Sequence, residues 1–403
     1  MRHITTFAAL LSGLFLFAQD FTTWTTDDGL PTNNLRDVAV AADGTIWLAT
    51  QSGVSAFDGS TFETHTTTSH PGLATNDVMA IEVTANGEVW AGTDLGVSVF
   101  DGTSYTTYTT DDGLSDDQVK NIKQAPNGDV WLGTINGATL YSNGTFTAFG
   151  SPDIPFGGVQ YIAFTDNGNV WLAGGLGGVI IYNGSTFSTL TTANGLLSNR
   201  IRSIAIDAAQ NKWVATAQGI STFDASNQHS GNHTRPFILP APDTLNPATD
   251  IVIDGQGMVW SGIYVDYLVT EGGVSAYNGS EWTQYEEVDG LAGPNVRRLA
   301  VDAEDAVWVT TSTGLTRITS QSIGLNERSV DPLFSLYPNP TSDRVNLEVA
   351  TAGMVQVQLF DIGGRLLRSD ATNGRLTLDV ADLSIGTYFV RIGNRVEKLV
   401  VSR

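Results

Sequence analysis

The sequence predicts an all-β chain: a seven-bladed β-propeller followed by a small Ig-like β-sandwich. Three observations carry this. A tryptophan motif recurs with a period in the low forties. Asn-Gly and Asp-Gly pairs recur in register with it. A change of charge separates the last 71 residues from the rest.

The motif is clearest as "DGTIWLAT" (43–50), "NGEVWAGT" (86–93) and "NGDVWLGT" (127–134). Its tryptophans are Trp47, Trp90, Trp131, Trp171, Trp213, Trp260 and Trp308, spaced by 43, 41, 40, 42, 47 and 48 residues. Four short strand-like segments per unit at this period are the signature of propeller blades. Within one unit, "LRDVAVA", "TIWLAT", "GVSAFD" and "FETHTT" are separated by Asp43-Gly44 and Asp58-Gly59. Such pairs suit hairpin turns, whose central residues need positive φ. Asn143, Asn183 and Asn278 begin Asn-X-Ser/Thr triplets, but each falls on such a turn and reads as a turn residue.

Each tryptophan is expected on the second strand of a blade, packed between neighbouring blades. The Ala, Gly and Thr residues after it allow the next sheet to approach. A Gly-Leu motif ends 12 residues before the tryptophan in five units and is missing from blades four and six. The first strand-like segment, "FTTWTTDD" (21–28), matches the fourth strand "YTTYTTDD" (105–112), whereas the last unit lacks a fourth strand. The N-terminal strand should therefore complete the last blade and remove an exposed edge.

The predicted domains are a signal peptide (1–19), the propeller (20–320), a linker (321–332) and a C-terminal domain (333–403). The leader has Arg2 and His3 before an apolar stretch from Phe7 to Phe17, with cleavage expected near Ala18 or Gln19. That stretch is shorter than the roughly 20 residues needed to span a bilayer. No other segment reads as transmembrane.

Residues 1–332 hold 12 Lys and Arg against 35 Asp and Glu; residues 333–403 hold 8 against 7. The chain's formal charge of −22 thus belongs to its first part. Such a surface repels nucleic acid and anionic lipid surfaces. The absence of cysteine excludes disulfides, thiolate metal sites and a cysteine nucleophile.

The repeat, "GL-x(4)-V … DG-x-[IV]-W", resembles the two-component regulator propeller repeat. That resemblance implies a ligand-sensing extracellular propeller. The tail carries "YPNP" (337–340), "LFDIGGRLL" (359–367), "LSIGTYFVRI" (383–392) and "KLVV" (398–401). In that order it resembles the type A C-terminal sorting domain of the type IX secretion system. The resemblance implies partnership with that machinery and export to the medium or outer surface of a Gram-negative cell.

Two insertions break the repeat, "DASNQHSGNHTRPFILPAPDTLNP" (224–247) and "YVDYLVTEGG" (264–273). The first is expected to replace the fourth strand of blade five with a loop, and departures from a repeat are where specificity is built. They supply the candidate ligand contacts His229, His233, Arg235, Tyr264 and Tyr267. Tyrosine rings and a guanidinium suit an acidic glycan. His229 and His233 are spaced by four but lie in a Gly/Asn/Pro-rich segment, so no metal site is expected, nor any cofactor. Pairs such as Asn33-Asn34 and Asn199-Arg200 precede the first strands, as backbone caps or as a polar ring at the channel mouth. The reading is a non-catalytic binding propeller. A secreted propeller lyase and a purely structural surface protein are the alternatives.

Overall fold

The computed structural model describes residues 17–154, 158–239, 246–264, 271–322, 334–349, 353–361, 365–392 and 395–402. The chain divides after Ser322 into two compact units. In the first, seven four-stranded antiparallel sheets follow one another. Blade one is Leu35–Val40, Ile46–Thr50, Gly53–Phe57 and Phe62–His65, paired in that order. The first strand of each blade packs on the first strand of the next, and that of blade seven (Val296–Val301) returns to Leu35–Val40. These inner strands enclose a central channel.

Closure follows the expectation. Phe17–Trp24 pairs antiparallel with Leu315–Ser322 and is the fourth strand of blade seven. Cleavage at the expected site would keep the pairs from Asp20 with Thr319 to Trp24 with Leu315. The Trp24 ring stacks on Trp308 at 5.4 Å and meets Phe57 of blade one edge-on at 5.0 Å. The closing strand therefore also fills the seam it closes.

Each repeat tryptophan lies on a second strand and joins a cluster shared with the following blade. Trp90, Trp131, Trp171, Trp260 and Trp308 are buried; Trp47 and Trp213 are half-buried. The small residues after them are needed. A Cβ on Gly133 would stand 2.7 Å from the Val159 carbonyl oxygen of the next blade.

The Gly-Leu motif closes a short 3₁₀ turn. Gly29, Gly113 and Gly195 take φ values between 101° and 111° at its end. The leucines Leu30, Leu73, Leu114, Leu196 and Leu291 are buried between blades. Where the motif is missing, Ile154 and Phe237 take the buried place, in the seams before blades four and six. Asn33, Asn76, Asp117 and Asn199 accept hydrogen bonds from the backbone N–H of Thr26, Thr67, Thr110 and Thr192, at 2.7–2.8 Å. These are caps, one of the two readings of those pairs.

Blade five departs from the expectation. Its fourth strand is His229–His233, paired with Gly219–Phe223, not a loop. "HSGNH" lacks the β-branched and aromatic residues that mark a strand; it pairs with the Ile220–Phe223 edge through the backbone ladder, and Ser230 Oγ donates to Thr222 Oγ1 at 3.0 Å. Beyond it Phe237 and Leu239 are buried, and the Phe237 N–H donates to Asn246 Oδ1 at 2.8 Å. Much of the insertion is blade-five and seam structure.

The second unit holds two sheets. Phe334–Tyr337, Arg344–Val349 and Arg375–Asp379 form one. Val355–Phe360, Leu366–Thr372, Gly386–Ile392 and Arg395–Val401 form the other. They share a core that includes Phe334, Leu347, Leu359, Leu378, Val390 and Leu399. The two tail motifs touch: Asn339 Nδ2 donates to the Lys398 carbonyl at 2.6 Å, and the Val400 N–H donates to Asn339 Oδ1 at 2.8 Å.

Candidate functional site at the channel mouth

A cavity of about 590 Å³ opens where the inner strands begin. Arg36 from blade one, Arg200 and Arg202 from blade five, and Arg297 and Arg298 from blade seven line it. Gln160, Leu176, Thr249, Tyr264 and Asn295 complete most of the wall. The propeller segment 20–320 has only ten Lys and Arg residues, so five of them converge on one opening. The register explains this. Arg36, Arg202 and Arg297 each precede their blade's tryptophan by 11 residues and so occupy equivalent places on inner strands.

The arginines differ in their partners. Arg36 pairs with Asp77 at 2.8 Å. Arg297 makes no ion pair among the described residues, and its pKa is lowered by burial and by the neighbouring Arg36 charge. Two guanidinium groups thus lie near one another at the mouth, that of Arg36 paired with Asp77.

Beneath the mouth the channel is crossed by charges, of which Asp37 and Asp250 are buried and Arg298, Lys123 and Glu82 half-buried. Arg298 Nε lies 4.0 Å from Asp37 Oδ1, and its carbon lies 5.8 Å from the centre of the Tyr161 ring. Lys123 Nζ lies 5.8 Å from the same ring and 2.9 Å from Glu82. The acids also stitch blades together. Asp37 Oδ2 accepts from the Ile81 N–H at 3.0 Å, Glu82 from the Gln124 N–H at 3.1 Å, and Asp250 from the Leu299 N–H at 2.8 Å. Burial raises the Asp37 pKa to about 6 despite the nearby Arg298 and Lys123 charges. Burial opposes the Arg298 charge, but Asp250, Asp37 and Tyr161 outweigh it and raise its pKa. The site has a charged, hydrogen-bonded floor, not an open pore.

Of the four sequence-derived candidates among the described residues, the structure brings Tyr264 alone to this cavity. His233 is half-buried instead, stacked on Trp213 at 5.3 Å and accepting from Trp282 Nε1 at 3.1 Å. It is a packing residue at the blade five–six seam. His229 is exposed on the same outer strand, edge-on to Phe223. Arg235 is exposed just beyond that strand and does not line the mouth. Tyr267 lies outside the described residues. His65 and His70 lie at the blade one–two seam, where their rings stack at 3.8 Å. The described histidines are thus away from the channel mouth. Sequence reasoning missed the arginines; their recurring offset from the tryptophan was the available signal.

The family described as "Secretion system C-terminal sorting domain" matches residues 335–402. The search of curated proteins returned no match. Among solved structures, the chain is similar to PorZ of Porphyromonas gingivalis at 19% identity and TM-score 0.61, over 93% of this chain and 60% of that one. It is similar to the extracellular domain of a putative hybrid two component system, BT3049 of B. thetaiotaomicron, at 17% identity and TM-score 0.63, over 94% and 57%. A streptogramin B lyase aligns at 14% identity and TM-score 0.58, over 77% and 100%. The chain spans about 60% of the length of the first two structures. No described helix is long and apolar enough to cross a membrane. The chain is a secreted or cell-surface β-propeller carrying a C-terminal sorting domain of the type IX secretion system.

Proposed function

We propose that the propeller is a non-catalytic binding module that captures an anionic extracellular ligand at its channel mouth. One observation carries this reading: in a chain of net charge −22, five arginines from three blades line a single cavity. The acidic surroundings sharpen the effect, because the rest of the propeller is strongly net negative. Tyr264 offers a ring face beside the guanidinium groups, as an acidic glycan requires. The domains expected from the sequence remain the frame: leader 1–19, propeller 20–320, linker 321–332 and tail 333–403, with the tail engaging the secretion machinery.

PorZ is described as an essential bacterial surface component of the type-IX secretion system, and BT3049 as the extracellular domain of a putative hybrid two component system. Both are compatible with a binding role for this fold, as the lyase neighbour is with an enzyme. The placement of His65, His70, His229 and His233 at outer seams favours binding over a histidine-dependent lyase. Calorimetric titration of the purified chain with acidic and neutral oligosaccharides of equal length tests the reading. The expected result is saturable binding of acidic ligands alone, weakened about tenfold by Arg297→Gln. Equal binding of neutral and acidic ligands, or turnover of either, would overturn it.

A further inference from the structure

The channel-mouth face is divided, and the half away from the arginines carries an apolar residue at the turn between second and third strands. The turn joining second and third strands has one design in most blades: a threonine hydroxyl donates to a glycine carbonyl three residues on. Thr50 to Gly53, Thr93 to Gly96 and Thr134 to Gly137 span 2.8–3.2 Å. The turn lies beside the start of the inner strand, since the Ile135 N–H donates to Gln118 O and the Gly175 N–H to Gly158 O. Its two central residues therefore rim the mouth.

In blades one, five and seven those positions hold Gln51-Ser52, Ala217-Gln218 and Ser312-Thr313. In the successive blades two, three and four the turn between second and third strands presents Leu95, Ile135 and Leu176, which are 54%, 38% and 59% exposed, the blade-four turn being one residue longer and without the threonine. The propeller exposes only two other large apolar side chains among the described residues, Ile238 and Val288. Three of five at one repeated turn on adjacent blades make a surface feature, whereas single exposed aliphatics need no explanation. Leu176 itself lines the arginine cavity.

We propose that the ligand is an anionic amphiphile. Its carboxylate, sulfate or phosphate head enters the arginine half of the mouth, and its apolar body lies along Leu176, Ile135 and Leu95. This rests on the anion-binding reading above and adds the apolar half of the ligand. Charge complementarity fixes the head: Arg36, Arg200, Arg202 and Arg297 come from blades one, five and seven, opposite the apolar arc. A cavity of about 590 Å³ suits one bound molecule. A bilayer surface does not fit, because Asp94, Asp116 and Asp117 lie on the same rim as the apolar arc and would be pressed against anionic headgroups.

Calorimetric titration of the full chain with decyl phosphate, below its critical micelle concentration, tests this against methyl phosphate and decyl maltoside. Decyl phosphate is expected to bind at least about tenfold more tightly than methyl phosphate, with no measurable binding of the neutral decyl maltoside. The double variant Leu95→Ser/Ile135→Ser should lose most of that advantage while keeping its affinity for methyl phosphate. Arg200→Gln/Arg297→Gln should weaken both phosphates, with an unchanged melting profile as the fold control. Equal affinities for the two phosphates would overturn the amphiphile and leave the anion site standing. Binding of neither would overturn the anion site and the amphiphile with it. Sedimentation with phosphatidylglycerol vesicles, without saturable decyl phosphate binding, would overturn the proposal in favour of a membrane surface.

Discussion

Arg298 Nε stands 4.0 Å from Asp37 Oδ1, across the seam where the last blade meets the first. The ring is thus joined at its inner edge by charge, and at its outer edge by the N-terminal strand. Asp37 also accepts from its neighbour Val38 and from Ile81 of blade two, so one carboxylate touches three consecutive blades.

Asp37 makes stability depend on pH. Burial raises its folded pKa to about 6, from an ordinary value of 3.8. A raised folded pKa means that the folded state binds the proton more tightly. The associated stability is present below pH 4 and is lost as pH rises through 6. Its size is on the order of 3 kcal/mol. Denaturant titrations of wild type and Asp37→Asn at pH 4 and pH 7 isolate it: the wild type should lose ground relative to the variant by roughly that amount. A stability difference that does not change with pH would count against the buried, proton-hungry carboxylate.

The seam tryptophans should be unequal. Trp171 is fully buried and Trp47 half-buried, although both occupy the same repeat position. Trp171→Ala is expected to cost about 3–5 kcal/mol, and Trp47→Ala clearly less. Chemical denaturation of both variants gives the comparison, and equal losses would contradict the burial difference.

Closure predicts a truncation phenotype. A chain starting at Thr25 leaves the Leu315–Ser322 edge unpaired and removes Trp24 from Trp308 and Phe57. The product should aggregate or melt well below the parent chain starting at Asp20. Light scattering and a thermal melt decide it; a monomeric product with the parental midpoint would show that the strand is dispensable.

In the tail, Asn339 bonds the backbone of both Lys398 and Val400. Asn339→Ala removes both bonds and should destabilise that unit by about 1–3 kcal/mol. Export should fall with it, since the closing strand lies within the matched sorting domain, residues 335–402. Assaying periplasm and medium for the variant beside a chain ending at Asp331 provides the scale. Normal export of the truncated chain would remove the tail from the sorting step.

The fold was legible because each blade is built from residues close in sequence. A tryptophan every forty-odd residues, with an Asx-Gly turn before it in blades one to four and a buried leucine in five of the seams, repeats one local solution, so the period identifies the blade. Phe17–Trp24 could be placed in the last blade because its own sequence repeats that of a fourth strand. The strand "HSGNH" was illegible for the opposite reason: it lacks strand-forming side chains, and the edge beside it supplies the pairing. Likewise His233 looks like a free ligand in sequence, but sits where other blades put an aromatic ring, and it packs there.

The site was decided by tertiary structure. Arg36, Arg200, Arg202 and Arg297 belong to blades one, five and seven, and only ring closure brings their inner strands around one opening. The same closure gathers Leu95, Ile135 and Leu176 on the other half of the rim. Sequence determines what each blade is, because a hairpin and its core are local interactions. What the blades present together depends on the geometry of the closed ring.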